Sequence, residues 1–197
     1  MLFRSLAAGA SDTFARGMSA VKTNDLTAAA AALVEMKARR EAAGGHTMMG
    51  NDHHSSSYAA PADLQAAEIM EKELEALLRK AEGKDDEAVR LMKEAARAED
   101  AMSFEVGPPG IVKPSHELLG ELLLEIGRPA ESRKQFDAAL ARAPGRALSL
   151  LGLARAATGS GDHATARQSY DELQKVWHRA DPGLGELKEI AVSLKRT

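Results

Sequence analysis

An internal repeat with a period of about 34 residues in the C-terminal half most constrains the fold of this chain. The segment GRPAE at 127–131 is followed one period later by GDHAT at 161–165. Large apolar positions recur in the same register, as at Phe136 and Tyr170. A repeat of this length predicts helix–turn–helix units that bury their apolar faces on their neighbours.

Composition supports helices throughout. Aromatic residues make up 4% of the 197 residues, and the chain is rich in alanine, the strongest helix former. Gly127 and Gly161 are predicted to end the first helix of each repeat, because glycine tolerates the left-handed backbone found there. Asp181 and Pro182 predict the start of a final helix over 183–195.

The same turn register extends upstream with interruptions. Turn markers stand at Asn24, Gly83, Gly127 and Gly161, and the first three are spaced more widely than one period. A longer insertion before Gly83 and a shorter one before Gly127 therefore interrupt the repeat. We predict an N-terminal helical hairpin over 1–43, a His/Met/Ser-rich loop or linker over 44–61, and a helical array over 62–197. The array contains an insertion at 101–112 and ends with the helix at 183–195.

The repeat resembles the tetratricopeptide repeat, in the form found in bacterial proteins. Its signature positions are matched by Leu119-Gly120, Leu123, Gly127, Ser132, Phe136, Ala139 and Pro144. The next repeat keeps Leu153, Ala154, Gly161, Ala166 and Tyr170, but His178 stands where a proline is usual. The resemblance implies an all-α, right-handed solenoid of helical hairpins. It also implies a non-enzymatic scaffold for protein–protein interaction that uses no cofactor.

In the resembled family, the first helix of each hairpin lines a concave groove that binds a partner segment. The corresponding positions in this sequence are Glu73, Leu77, Lys80, Glu117, Glu121, Leu124, Leu151, Arg155 and Thr158. Glu117 and Glu121 stand at two positions where the family's clamp for C-terminal carboxylates uses Lys and Asn, so a C-terminal carboxylate is disfavoured as ligand and a basic or amphipathic peptide is favoured. A short array also leaves apolar ends, so a homodimer is a further possible assembly.

Net charge and hydropathy restrict the classes of partner that this chain can bind. The net charge is −3 and the isoelectric point is near 6.1, which argues against a nucleic-acid partner. Residues 61–110 carry 7 basic and 13 acidic groups, so a basic partner is attracted there first. The sequence has no apolar run that predicts membrane insertion. Because cysteine is absent, the compartment stays open.

A His/Met-rich segment supplies the alternative function. His46, Met48, Met49, Asp52, His53 and His54 combine imidazole, thioether and carboxylate groups within one short stretch. Such ligands could bind copper or zinc, which would make this a metal-handling protein on a helical scaffold. A solvated linker is the competing interpretation. The sequence contains no nucleophile elbow, phosphate loop or dinucleotide fingerprint, so we predict no enzyme activity.

Overall fold

A computed structural model describes residues 6–45, 60–103 and 110–195, and regular structure in these ranges is entirely α-helical. The predicted all-α fold class of tetratricopeptide-like hairpins is confirmed. In chain order the helices are α1 (Leu6–Lys22), α2 (Leu26–Gly45), α3 (Pro61–Ala81), α4 (Asp85–Asp100), α5 (Ser115–Glu125), α6 (Pro129–Arg142), α7 (Ala147–Gly159), α8 (His163–Val176) and α9 (Gly185–Lys195).

The four predicted turn markers all lie in tight connections between helices. Asn24 has a φ of 60°, and Gly83, Gly127 and Gly161 have φ values of 74–77°. This left-handed conformation ends one helix and lets the next begin within a few residues. The turn register was therefore predicted correctly at all four positions.

The first unit comprises Met1–Ser115 and includes α1 to α4. Helix α3 packs against α1 and α2 as well as against its own hairpin partner α4. Gly17 permits the approach of α1, because a Cβ there would lie within 2.9 Å of the Leu74 side chain. The N-terminal hairpin thus shares a core with α3. Fully buried members of this core are Phe14, Met36, Ile69, Met70, Leu74 and Met92.

The second unit comprises His116–Thr197 and includes α6 to α9 together with all but the first residue of α5. Helices α6, α7, α8 and α9 each pack against the next in order. Ile190 of α9 is buried against Leu150, Leu151, Ala154, Tyr170 and Leu173. The last helix therefore completes the core of the final hairpin.

Two details differ from the sequence-based boundaries. The final helix begins at Gly185, slightly later than predicted. Asp181 does not cap this helix; its Oδ1 accepts a hydrogen bond from the Gly183 backbone nitrogen at 2.8 Å, which forms a separate local turn. The division of the chain at residues 44–61 stays a prediction. Within the described ranges, none of the helices combines the length and apolar character needed to cross a membrane.

Candidate protein-binding face

The signature residues of the repeat act together in the core of the second unit. Phe136 of α6 is fully buried, and a Cβ at either Gly120 or Gly152 would collide with its ring. The Ser132 hydroxyl donates a hydrogen bond to the Gly120 carbonyl at 2.7 Å. These contacts hold α5, α6 and α7 in close register, so the faces of α5 and α7 have fixed positions.

The predicted groove residues divide into three groups by exposure. Glu73, Glu117 and Leu151 are buried; Leu77, Lys80, Glu121 and Leu124 are half-buried; Arg155 and Thr158 are exposed. The three buried residues differ from the prediction of a face open to a partner. Their side chains are covered because neighbouring elements pack over them, and Leu151 belongs to the core that surrounds Ile190.

Glu117 is held by a hydrogen-bond network inside the second unit. Its carboxylate accepts bonds from Nε and Nη2 of Arg146, at 2.7 and 3.1 Å, and another from the Ser149 hydroxyl. Its side chain has no exposed surface, whereas that of Arg146 remains 35% exposed. A buried carboxylate needs such partners to offset its lost hydration. This network joins the start of α5 to the start of α7.

Glu73 has a similar position in the first unit but a poorer set of partners. The Ser115 hydroxyl donates a hydrogen bond to Glu73 Oε1 at 2.6 Å. The other oxygen, Oε2, is buried without a hydrogen-bond partner. Burial raises the pKa of Glu73 well above its ordinary value; the Ser115 hydrogen bond opposes this rise, and the neighbouring Glu99 carboxylate adds to it.

Arg155 and Glu189 form an exposed ion pair between α7 and α9. Arg155 donates through Nε and Nη2 to the two oxygens of Glu189, at 3.0 and 2.7 Å. These hydrogen bonds lower the pKa of Glu189. The Tyr170 hydroxyl donates to Glu189 Oε1 at 2.8 Å, and the pKa of Tyr170 is raised by burial and by this bond. Glu189 therefore neutralises the cation at the predicted groove position.

Two sets of positions recur at the repeat period on α5, α7 and α9. One set contains Glu121, Arg155 and Glu189; the other, one helical turn further along each helix, contains Leu124, Thr158 and Val192. Because residues i and i+3 share a helix face, each of the three helices presents one residue from each set on the same face. We call these six residues the A face. Leu124 packs partly against Phe136 and Leu153, while Val192 is 53% exposed.

Sequence reasoning missed the partners that bury the two glutamates. Ser115, Arg146 and Ser149 were not among the predicted site residues, and neither was Glu189, the partner of Arg155. The repeat carried a signal for them, since Ser115 and Ser149 occupy the same position of successive periods. A serine recurring at that interval identifies the residue that reaches back to the buried carboxyl on the first helix of the preceding hairpin.

The residues of the metal-binding alternative, at 46, 48, 49 and 52–54, all fall outside the described residues. Within the described ranges, no group of three or more His, Asp or Glu side chains is arranged to hold a metal ion. The His/Met-rich metal site therefore stays a prediction from the sequence.

Helical hairpins in register, joined by left-handed turns, define a helical-repeat protein. The family model for the tetratricopeptide repeat matches residues 118–184, which extend from α5 to the end of the turn before α9. This segment, about a third of the chain, is thus similar to the tetratricopeptide-repeat family. Repeats of this family generally mediate protein–protein interaction and are typically non-catalytic scaffolds. No curated protein matches the chain as a relative.

Proposed function

We propose that the A face of the second unit binds a basic or amphipathic segment of a partner protein. The Arg155–Glu189 ion pair carries this proposal, because it cancels the cation at one periodic position. Glu121 places a carboxylate at the equivalent position, and exposed Glu125 adds another one turn further along α5. The resulting acidic surface favours a partner with lysine or arginine side chains.

Apolar contact is the second element of the proposed recognition. Leu124 is half-buried and Val192 is largely exposed, so both offer apolar surface beside the charged positions. A partner with basic and apolar residues on one helical face would match this arrangement. In the first unit, Leu77 and Lys80 of α3 remain proposed contacts. The protein's proposed role is that of a scaffold rather than an enzyme.

Thr158 provides a direct test, because it lies on the A face, is exposed, and donates its hydroxyl hydrogen bond to its own helix at the Ala154 carbonyl. We would introduce Thr158→Glu and Thr158→Arg, which differ in the sign of one charge. Fluorescence anisotropy would measure the binding of a helix-forming Lys/Leu peptide and of a Glu/Leu peptide of equal length. Sedimentation under the same conditions would detect a second copy of the chain as the partner.

The proposal predicts that Thr158→Glu binds the Lys/Leu peptide more tightly than Thr158→Arg does. One exposed charge pair is worth about 0.2–1 kcal/mol, so reversing the sign should change affinity by roughly twofold to thirtyfold. Raising the salt concentration should reduce the difference. Glu172→Gln, on the exposed surface of α8, is the matched control and should leave binding unchanged. Equal affinity of both Thr158 variants for both peptides would contradict the proposal.

A further inference from the structure

Glu73 is an unusual group, because it is a fully buried carboxyl with one oxygen that lacks a hydrogen-bond partner. A carboxylate in such a place loses its hydration without compensation, whereas a neutral carboxylic acid loses far less. The packing of α3 in the first unit therefore favours the protonated form of this side chain.

Ser115 joins this carboxyl to a second one. Its hydroxyl donates to Glu73 Oε1 and its backbone nitrogen donates to Glu99 Oε2, both at 2.6 Å. Ser115 is the first residue of α5, where the backbone N–H groups have no partner within the helix. Carboxyls from α3 and α4 thus converge on the start of α5, and we call Glu73, Glu99 and Ser115 the Ser115 latch.

The charged groups around Glu73 have opposing effects on its ionisation. Glu99 from α4 disfavours the carboxylate, while Lys113 from the segment before α5 favours it. Basic residues of α2 form ion pairs with other carboxylates of α3, and Arg16 of α1 forms an ion pair with a carboxylate of α2. These pairs are Arg40 with Glu71, Lys37 with Glu75, and Arg16 with Glu35.

The second unit contains the same arrangement with a different balance of charge. Glu117 accepts a hydrogen bond from Ser149, as Glu73 does from Ser115, but Glu117 also has two bonds from Arg146. The guanidinium compensates the buried negative charge of Glu117. Glu73 has no equivalent guanidinium bond among the described residues. The two buried glutamates therefore differ in the hydrogen bonds that compensate their burial.

We propose that the Ser115 latch is a protonation-controlled switch that holds the start of α5 when Glu73 is neutral and releases it when Glu73 ionises. The Ser115 hydroxyl favours the carboxylate, but this one bond does not offset the lost hydration and the repulsion from Glu99. The ionised side chain is therefore more stable where it reaches water, and it reaches water when the start of α5 opens. Ser115 is the last residue of the first unit, so the three residues of the latch all belong to that unit.

The direction of the pH effect follows from the raised pKa of Glu73. Its stabilising contribution is complete below the ordinary glutamate pKa of about 4.3 and is lost as the pH rises through the higher folded-state pKa. Within that window, the opening equilibrium at α5 should increase about tenfold per pH unit, because opening releases one proton. Above the folded-state pKa the increase should stop.

Hydrogen exchange of the full chain tests this switch. Exchange of the 115–118 amides would be measured from about pH 4 to about pH 9 and corrected for the intrinsic pH dependence of amide exchange. Protection should fall with pH in the unsubstituted protein and stay level in Glu73→Gln, which keeps the neutral form. Glu94→Gln removes an exposed carboxylate of α4 and should behave like the unsubstituted protein. The same pH dependence in Glu73→Gln and the unsubstituted protein would overturn the proposal.

A second measurement needs no substitution and decides the case even if Glu73→Gln does not fold. Carbon-13 NMR of glutamate side-chain carboxyls in the unsubstituted protein should show one group that titrates well above the others. If every glutamate titrates at or below the ordinary value of about 4.3, the switch is refuted.

Discussion

Gly120→Ala should destabilise the second unit, because a single methyl group has no room beside Phe136. A Cβ at Gly120 would lie 2.8 Å from Cε2 and Cζ of the ring and 3.0 Å from Cε1. Ordinary contacts between carbon atoms are about 3.5–4.0 Å. The ring cannot move aside, since a Cβ placed at Gly152 would lie closer still on α7, which leaves Phe136 wedged between two helices.

The expected loss is the difference between two opposing effects. Overpacking a buried site costs about 1–3 kcal/mol, and a ring confined between two backbones belongs at the upper end of that range. Alanine is a better helix former than glycine by about 1 kcal/mol, which offsets part of the cost. We therefore expect Gly120→Ala to lower the free energy of unfolding by about 2 kcal/mol.

Urea unfolding monitored by Trp177 fluorescence measures this loss of stability in the second unit, which contains Gly120. Trp177 is the only tryptophan of the chain, and it packs against the core of the second unit. Gly185→Ala is the control, because nothing lies within 4 Å of its added Cβ. In a Phe136→Leu background, Gly120→Ala should lose much of its cost. An unchanged midpoint for Gly120→Ala, or the same loss in both backgrounds, would refute the steric argument.

Two further predictions concern carboxylates of the second unit. Glu117→Gln should lower the free energy of unfolding by about 2 kcal/mol, which is less than breaking a fully buried ion pair costs, because Arg146 is partly hydrated. Urea unfolding followed by Trp177 fluorescence measures this loss. A loss no larger than that of Glu172→Gln would contradict the prediction. Because the pKa of Glu189 is lowered in the folded protein, its carboxylate stabilises the fold above about pH 4.3, and this stability is lost as the pH falls. Glu189→Gln should therefore lose less stability on acidification than the unsubstituted protein does. Identical acid-unfolding profiles of the two proteins would contradict this expectation.

Backbone features were the most predictable part of this protein. Asn24 and Gly83 were identified as turn markers from the repeat register alone, and both have the left-handed conformation. The prediction succeeded because a tight turn between helices depends on the residue itself and its immediate neighbours. The final helix was also predicted, although its start was placed slightly early because Asp181 forms its own local turn instead of a cap.

The exposure of the predicted groove residues was harder to predict. Helical spacing places Glu117 and Glu121 on one face of α5, yet the first is fully buried and the second only half-buried. Period alone cannot give this difference, because exposure depends on what packs over each residue. The start of α7 covers Glu117 through Arg146 and Ser149, which lie far from it in the sequence.

The register of the repeat nevertheless contains the information that separates the two buried glutamates. Ser149 and Arg146 approach Glu117, and the positions one repeat period before them are Ser115 and Val112. The serine is present at both positions, so the hydrogen bond to the first helix of the preceding hairpin is present in both places. The arginine is replaced by valine, which supplies no positive charge. A carboxyl at the same place in the fold therefore accepts hydrogen bonds from a guanidinium in one unit, whereas in the other it has, among the described residues, only the Ser115 hydroxyl as hydrogen-bond donor and its pKa is raised by burial.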